Sequence, residues 1–282
     1  MKKIKLIAAI ATTLALATFL LAGCDSSASS SSTSASTSSS SASSETTKLV
    51  VGFDSAYPPY GFVADDGSYT GFDLDLAKEV ASRNGWEFEA QAIDWDAKDA
   101  LLNSNSINCI WNGFTLEGRE DNYTFSDSYM LNEQVLVVKA DSGITSQSDL
   151  AGKTVMTQVD SAALDVLEGD MADLAKTFAG GAAQTIGDYN NAFLQLDSGM
   201  VDAVACDLSI AQYQIAQTGS KYVMLSEPLS SEHYAVGFKK GNTEMAEAVT
   251  KTLKEMYADG TVKTLCEKYA DYGLSFDNWV LK

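Results

Sequence analysis

The tripeptide Asp-Ser-Ala occurs twice, at residues 54–56 and 160–162, and each copy follows a short apolar run typical of a buried strand. The second copy opens a predicted helix, in which Asp160 or Ser161 can cap the first turn and Ala162 begins the helix. Free backbone N–H groups and the helix dipole favour an anion at such a start. An ordinary helix cap without a ligand is the alternative interpretation.

Two prolines give the first copy a different character. Pro58 and Pro59 prevent a helix there, since proline lacks an N–H donor and disfavours helical geometry in the residue before it. They hold Tyr57 and Tyr60 on a stiff loop at the strand end, where an aromatic ring can stack on a flat or apolar part of a ligand. Tyr60 fits equally well as a core side chain that anchors the loop, so Tyr57 is the better candidate for a ligand contact.

The segment WNGFTLEGRED, residues 111–121, places polar groups just past another predicted strand. Gly113 and Thr115 offer backbone and hydroxyl donors, and Arg119 follows four residues later. Arginine gives bidentate, charge-assisted hydrogen bonds to a planar carboxylate, so the pattern favours an anion site. The alternative for this arginine is a surface ion pair with an acidic neighbour.

Asp207 ends the predicted strand VDAVACD and can accept hydrogen bonds from an ammonium group, or instead cap a turn or helix. His233 is the only histidine, which argues against a histidine metal site and a histidine-centred catalytic triad. Besides Cys24, the chain has three cysteines without a close pair: Cys109, Cys206 and Cys266. We expect buried thiols there, and we predict no metal and no cofactor.

Strand and helix patterns alternate from Lys48 onward, which indicates parallel sheets flanked by helices. The predicted strands include residues 48–54, 107–113 and 153–160. The predicted helices cover residues 73–84, 95–104, 161–167, 189–198 and 244–257. The halves also resemble each other, because LLNSNSINCIWN can be laid over QLDSGMVDAVAC and the two segments ending in Asp-Ser-Ala can be laid over one another. We therefore predict two lobes of one design.

The first 23 residues have the pattern of a secretion signal, with three lysines before an apolar run from about Leu6 to Ala22. A membrane anchor helix is the alternative, since the run approaches spanning length. The sequence LAGC resembles a bacterial lipobox, which implies cleavage before Cys24 and its diacylation; two acyl chains suffice for stable anchoring. Residues 24–47 are rich in Ser, Ala and Thr and are predicted to be a disordered tether.

The chain is strongly acidic. Its formal charge is −19, and removal of a leader with three lysines would make it −22. This charge argues against nucleic acid or an anionic membrane surface as a partner. We therefore expect membrane contact through the lipid anchor only. We also expect the protein to be a monomer.

From about Lys48 to Tyr272 the chain resembles the extracellular solute-binding proteins of polar amino acid ABC uptake systems. The matching segments are VGFDSAYPPYGF, DGSYTGFDLDLAKEVASRNGW, WNGFT followed by GR and FSDSY, LAGKTV, VDAVACD and YADGTVKTLCEKY. Several segments in the same order, over nearly the whole predicted ordered part, make this resemblance far more specific than any one segment.

The resemblance implies a two-lobed α/β fold of the periplasmic-binding-protein type. Each lobe would be a mostly parallel sheet flanked by helices, and the lobes would close on a ligand about a hinge. Two crossover strands would join them near residues 131–134 and 230–234. Lobe 1 would comprise residues 48–132 and 233–282, and lobe 2 residues 133–232.

The resemblance also implies a carboxylate site. Thr115 and Arg119 would hold the α-carboxylate of an amino acid, helped by the helix start at Ser161. Relatives commonly have four residues between the Thr and Arg positions and this chain has three, so the loop must be tighter and Gly113 competes with Thr115 for the register. Ala162 stands where relatives often have a hydroxyl, so that contact would come from backbone N–H groups.

For the rest of the ligand, the resemblance implies that Asp207 takes the α-ammonium group. Tyr57 would stack on the ligand and Asp54 would read its side chain, while Trp95 and Trp111 would line the pocket. One cation beside two acids leaves a second ligand carboxylate without a partner. This disfavours Asp and Glu as ligands and favours a neutral polar or cationic amino acid.

These features predict a lipid-anchored protein on the extracellular face of the membrane that captures an L-amino acid and delivers it to an ABC permease. Ligand would bind both lobes only in the closed form and shift the population toward it. A sensory lipoprotein would have the same sequence features. An enzyme of this fold, such as a dehydratase acting on cyclic carboxylic acids, is a further alternative, although no general base is evident beyond the carboxylates that a zwitterion needs.

Overall fold

The computed structural model describes residues 47–219 and 221–282. The predicted signal sequence, the lipidation site Cys24 and the tether up to residue 46 lie outside the described residues. None of the helices in the two described ranges combines the length and the hydrophobicity that crossing a membrane requires.

Strands and helices alternate along the described chain. The strands are β1 Lys48–Phe53, β2 Ala56–Tyr57, β3 Gly61–Val63, β4 Tyr69–Thr70, β5 Glu87–Ala92, β6 Cys109–Ile110, β7 Tyr123–Phe125, β8 Met130–Lys139, β9 Val155–Gln158, β10 Gln184–Ile186, β11 Ala203–Asp207, β12 Tyr222–Met224, β13 Ser230–Tyr234 and β14 Gly237–Lys239. The α-helices are α1 Phe72–Asn84, α2 Lys98–Asn103, α3 Ala162–Glu168, α4 Ala172–Ala175, α5 Tyr189–Ser198, α6 Leu208–Thr218, α7 Thr243–Ala258 and α8 Thr261–Lys268.

Two mixed sheets organise the protein. The strand order is β5-β1-β6-β14-β7 in the first sheet, the centre of lobe 1, and β10-β9-β11-β8-β12 in the second, the centre of lobe 2. In each sheet the first two pairings are parallel and the last two are antiparallel. The prediction of mostly parallel sheets is therefore wrong, because β14 and β8 enter their sheets directly from the segments that join the lobes and not through a crossover helix.

The order of the strands confirms the predicted repeat of one design. β1 and β9 hold the same place in their sheets, and each ends at a copy of Asp-Ser-Ala. The two lobes are joined by β13 and the first half of β8, which pair antiparallel over residues 130–134 and 230–234. These crossover strands lie where the sequence predicts them, while the bounds of the two lobes stay a prediction.

Most predicted elements agree with the structure to within two residues. The helix predicted over 189–198 is α5, and the one predicted over 244–257 is α7, with one more residue at each end. The strand predicted over 107–113 is shorter, because β6 ends at Ile110 and the chain turns out of the sheet toward Gly113, which has a φ of 57°. The three described cysteines are buried and free.

A small third sheet, β2-β3-β4, holds the loop that contains the two prolines. Tyr57 on β2 pairs with Gly61 on β3, and its side chain is 5% exposed. The loop also contacts the start of α1, whose first N–H groups at Phe72 and Asp73 donate to the carbonyls of Pro59 and Tyr60. Backbone hydrogen bonds therefore fix the aromatic loop on both sides.

Candidate ligand-binding site

Residues that follow β1, β6, β9 and β11 meet between the lobes and enclose a small cavity. This is the place where open α/β sheets bind ligands, beyond the carboxyl ends of their strands. The cavity is lined by Tyr57, Trp95, Gly113, Thr115, Arg119, Gln158, Ser161, Ala162 and Asp207. Its volume is about 20 Å³, close to the room that a single water needs, so an amino acid enters only when its walls separate.

The lining includes eight of the ten predicted ligand contacts, and the two outside it are Asp54 and Trp111. A larger groove of about 580 Å³ lies beside α7, but it is an open feature of lobe 1 that contains none of the predicted residues. The cavity between the lobes is therefore the candidate site.

Arg119 is the cation of the cavity. One of its terminal nitrogens donates to Asp165 of α3 in lobe 2 at 2.9 Å, and the other lies 3.4 Å from the carbonyl of Thr115. The guanidinium also lies over the ring of Phe114, 4.9 Å from its centre. Its side chain is 11% exposed, and since a guanidinium has five donors, the remaining ones can still bind a carboxylate in the cavity.

The hydroxyl of Thr115 has a different partner from the one the resemblance implies. It donates to Oε1 of Glu232 at 2.7 Å, and a hydroxyl has only one proton to donate. Its backbone N–H remains a candidate for the ligand. In the bridge between Thr115 and Tyr234 the flanking residues make the hydrogen bonds, so the N–H of Thr115 points away from Tyr234.

Asp207, at the end of β11, is the buried acid of the cavity. Its Oδ1 accepts hydrogen bonds from Asn132 at 2.9 Å, from Gln134 at 2.7 Å and from the hydroxyl of Tyr234 at 2.7 Å. Tyr57 lies next to it, with its hydroxyl 3.4 Å from that of Tyr234. These donors are neutral, and burial raises the pKa of Asp207 above its usual range.

Glu232, on the crossover strand β13, is a second buried acid that the sequence prediction missed. Its Oε1 accepts from the same two amides, from Asn132 at 2.9 Å and from Gln134 at 2.8 Å. Burial, together with the charge of Asp207, raises the pKa of Glu232 to about 7. A signal for it exists in the sequence, because Asn132 and Gln134 are two residues apart and therefore lie on one face of β8, where polar side chains need a buried partner.

Asp54 does not line the cavity. Its two carboxylate oxygens accept hydrogen bonds from the N–H of Ala56 at 2.8 Å and from Nε2 of Gln158, in lobe 2, at 2.7 Å. Burial raises its pKa. The structure thus places Asp54 behind Gln158, which occupies the cavity wall where the sequence predicts the aspartate; reading of a ligand side chain by Asp54 would have to act through Gln158.

Trp111 also lies outside the cavity. It is fully buried in the core of lobe 1, with its ring centre 6.5 Å from that of Tyr129. The residue immediately after the end of β6 packs inward, and only from Gly113 onward does the chain reach the cavity. The expectation that Trp111 lines the pocket therefore disagrees with its position.

Trp95 lines the cavity and binds the opposite lobe. Its indole N–H donates to the carbonyl of Asp160 at 3.1 Å. Lys98, which is nearly fully buried, forms an ion pair with the carboxylate of Asp160 and lies over the ring of Trp95. The two copies of Asp-Ser-Ala are therefore both tied across the cleft, the first through Asp54 and the second through Asp160. Ser161, next to it, caps α3 with its hydroxyl, which accepts from the N–H of Leu164 at 3.2 Å.

Asp73, at the start of α1, positions the loop that contains Gly113. One carboxylate oxygen accepts from the N–H of Gly113 at 2.6 Å and from the hydroxyl of Tyr129 at 2.8 Å. The residue is fully buried, and this burial raises the pKa of its carboxyl from 3.8 to about 7. Folding therefore takes up a proton between pH 3.8 and about pH 7. This proton uptake stabilises the folded state in acid, and the contribution is lost as the pH rises through 7.

Asp73→Asn is expected to remove this pH dependence, because the amide oxygen can accept both hydrogen bonds without ionising. Relative to the wild type, the variant should gain stability between pH 5 and pH 8, by about 2.7 kcal/mol, because about two pH units of the shift lie in this interval. Urea denaturation of both proteins at each pH measures the difference. A difference that is the same at pH 5 and pH 8 would contradict the assignment.

Comparisons with known proteins identify the family and the fold of the chain. The chain is 30% identical over 228 residues to the L-cystine-binding protein TcyJ of Escherichia coli K12, covering 80% of this chain and 83% of that protein. A substrate-binding protein of an ABC uptake transporter from Streptococcus pneumoniae, solved with bound histidine, is 35% identical with a TM-score of 0.76, covering 79% of this chain and 92% of its own. An ancestral arginine-binding protein bound to arginine is 36% identical with a TM-score of 0.71, covering 79% and 97%.

The family profile described as bacterial extracellular solute-binding proteins, family 3, matches residues 49–272, which include the entire cavity and both crossover strands. The protein is therefore a member of this family of bacterial extracellular solute-binding proteins.

Proposed function

We propose that this protein captures an L-amino acid between its lobes outside the cell and delivers it to an ABC importer. The observation that carries the proposal is the position of Arg119 on lobe 1 and Asp207 on lobe 2, as opposite charges on opposite walls of one small cavity. A zwitterion has a carboxylate and an ammonium group close together, so it matches both walls at once. Charge-assisted hydrogen bonds to buried groups give the strongest polar contribution to such binding.

The acids of the cavity favour a neutral polar or cationic amino acid. The two cations at the cleft, Lys98 and Arg119, each have an acidic partner in lobe 2, whereas Asp207 and Glu232 accept hydrogen bonds from neutral groups among the described residues. A second ligand carboxylate would be buried against negative charge. Of the ligands named for the three similar proteins, histidine and arginine belong to this class, whereas cystine has a second carboxylate that is accompanied by a second ammonium group.

Closure of the lobes would be the signal for the importer. Arg119 and Asp207 lie on different lobes, so a ligand gains both contacts only when the lobes are together and shifts the population toward that form. The contacts of Gln158 with Asp54 and of Asp160 with Lys98 form across the same cleft and would stabilise the closed state. A permease could then distinguish loaded from unloaded protein by shape.

Anchoring is the remaining part of the proposal. Cleavage before Cys24 and its diacylation would hold the protein on the extracellular face of the membrane, and residues 24–47 would let it reach the permease. The protein would act as a monomer without catalytic activity and would release the amino acid unchanged.

A thermal-shift screen of the twenty amino acids and L-cystine tests the proposal. A ligand at a hundred times its dissociation constant should stabilise the protein by about 2.7 kcal/mol, or roughly 5–10 °C in melting temperature. We expect shifts from neutral polar or cationic amino acids and none from Asp or Glu. If no amino acid changes the melting temperature, the ligand class is wrong; if mass spectrometry shows conversion of the ligand, the protein is an enzyme.

A further inference from the structure

We propose that Glu232 and Asp207 act together as a two-carboxylate receptor for the amino group of the ligand, and that ligand binding releases a proton shared by the two acids. This inference rests on the proposed amino-acid binding. It assigns Glu232, which is not a residue of the predicted site, as a residue that sets the charge of the site. The two acids are called the carboxylate pair below.

The first argument is geometric. Nδ2 of Asn132 and Nε2 of Gln134 each donate to one oxygen of Asp207 and one oxygen of Glu232, at 2.7–2.9 Å. Two carboxylate oxygens that share the same two nitrogen donors lie within a few ångströms of each other. Like charges at such a distance favour a state in which the two groups hold one proton between them.

The second argument is burial. Asp207 is 4% exposed and Glu232 is 3% exposed. Among the described residues, their hydrogen-bond donors are neutral: the two amides and the hydroxyls of Thr115 and Tyr234. Burying two unpaired negative charges costs far more than burying one, so a proton or a cation has to compensate the second charge.

The third argument concerns the second cavity that Glu232 lines and the hydrogen bonds that remain to be made around the pair. Only Oε1 of Glu232 accepts hydrogen bonds in the described part of the chain, and the residue also lines a second cavity of about 390 Å³ next to the first. The two cavities share Thr115 and Ala162. Within the same cluster, Oε1 of Gln134 is a buried acceptor without a donor among the described residues, and the acid proton of a protonated carboxyl is the kind of donor that it lacks.

Other charged groups surround the pair but do not neutralise it. Arg119 approaches Thr115 but pairs with Asp165, and His233 pairs with Glu117 on the outer side of β13. The remaining titratable groups near the pair and in the second cavity are Tyr57, Tyr60, Tyr189, Cys206, Tyr234 and Asp170. Of these groups, only the two acids of the pair are buried and have a pKa that is moved toward 7. The pKa of Glu232 is raised to about 7.

The direction of the linkage follows from charge. A cationic amino group stabilises the doubly ionised pair and lowers its proton affinity, so the proton leaves when ligand binds. Affinity must then fall as the pH drops and the free pair becomes protonated. For a pair that titrates near pH 7, the association constant should be about tenfold lower at pH 6 than at pH 8.

The test is isothermal titration calorimetry of the protein at pH 6, 7 and 8, in buffers that differ in ionisation enthalpy. The first probe is L-arginine, whose groups do not titrate in this range; if it does not bind, the strongest binder among the amino acids and L-cystine replaces it, with its own proton exchange subtracted. The wild type should release close to one proton per ligand at pH 6 and almost none at pH 8. Glu232→Gln keeps an acceptor for Thr115, Asn132 and Gln134, and should bind with the same affinity at all three pH values.

Controls separate this role from a structural one. Glu133→Gln removes an acid from the neighbouring position of β8, on the opposite face from Asn132 and Gln134, and should retain the tenfold pH dependence and the proton release. A Glu232 that served only to hold the strand would, when replaced, weaken binding equally at every pH and leave the proton release unchanged. Asp207→Asn, which removes the other member, should also abolish the release if it retains measurable binding.

Three outcomes overturn the inference. They are binding by the wild type without proton release, an unchanged proton release in Glu232→Gln, and pH dependence that Glu133→Gln removes as well. In each case amino-acid binding itself is retained, so the proposed function survives. Absence of binding by every amino acid would overturn both.

Discussion

Arg119→Met is expected to weaken amino-acid binding at least a hundredfold, or roughly 3 kcal/mol, because the ligand carboxylate would be buried without its charge-assisted partner. Methionine keeps an unbranched apolar side chain, whose sulfur can contact the ring of Phe114, the ring that the guanidinium of Arg119 covers. Calorimetric titration of the ligand identified by the thermal-shift screen measures the loss. A change of less than fivefold would mean that another group holds the carboxylate.

The same replacement should have little effect on the stability of the protein without ligand. The ion pair of Arg119 with Asp165 is lost, but Asp165 is 60% exposed and such pairs contribute about 1 kcal/mol or less. The free energy of unfolding, measured in urea, should therefore stay within about 1 kcal/mol of the wild type. This separates a loss of binding from a loss of folding.

Asp165→Asn is the matched control for the arginine variant. It removes the charge that competes with the ligand for Arg119, and leaves Arg119 itself in place. Because the amide oxygen of asparagine can still accept a hydrogen bond, we expect a change in affinity of less than about threefold, toward tighter binding. Loss of binding as large as in Arg119→Met would instead show that the contact between α3 and Arg119 is needed for closure.

Some site residues can be predicted from the sequence alone, because their local structure and the topology of the sheet point to the same place. Gly113, Ser161 and Asp207 directly follow or end strands, and in a sheet with parallel strands these ends meet at one edge, so their convergence needs no knowledge of packing. Tyr57 could be predicted for a similar reason, because two prolines restrict the loop that contains it.

The prediction fails where partners are distant in the chain. Trp111 and Gly113 belong to one segment, but packing against Tyr129 takes the tryptophan into the core and leaves only the glycine at the cavity. Glu232 stands in the polar stretch LSSEHY, which by itself indicates an exposed strand. It is buried because β13 pairs with β8, almost a hundred residues earlier, and no local pattern contains that register.

The mixed sheets have the same explanation. Alternation of strands and helices correctly predicts the parallel pairings around β1 and β9. The directions of β8 and β14 depend on where the chain passes between the lobes, and those passages have no helix to mark them. The consequence is functional as well as topological, since the crossover strand β8 provides the two amides that bind Asp207 and Glu232.

Gly71→Ala is expected to lower the free energy of unfolding by about 3 kcal/mol or more, through a backbone clash that the structure cannot relieve locally. Gly71 precedes α1 with a φ of 147°, and a Cβ there would lie 2.1 Å from the carbonyl oxygen of Tyr60. That carbonyl accepts the N–H of Asp73, so moving it would break the contact between the aromatic loop and the helix. Urea denaturation measures the loss, with the soluble yield as a second readout if the variant does not fold.

Gly67→Ala separates the clash from the cost of positive φ alone. Gly67 has a φ of 83°, but a Cβ there would meet no atom within 4 Å, so the expected loss is only about 1 kcal/mol. Equal losses in both variants would show that backbone conformation, and not the approach to Tyr60, makes Gly71 necessary. If the clash causes the larger loss, the loop of Tyr57 and the start of α1 are held rigidly together. Asp73 of α1 accepts a hydrogen bond from the N–H of Gly113 and so connects them to the loop on the other side of the cavity wall. The wall of lobe 1 is then set by the backbone approach of Gly71 and by the Asp73 carboxylate before any ligand binds, and the adjustable part of the site is the distance to lobe 2.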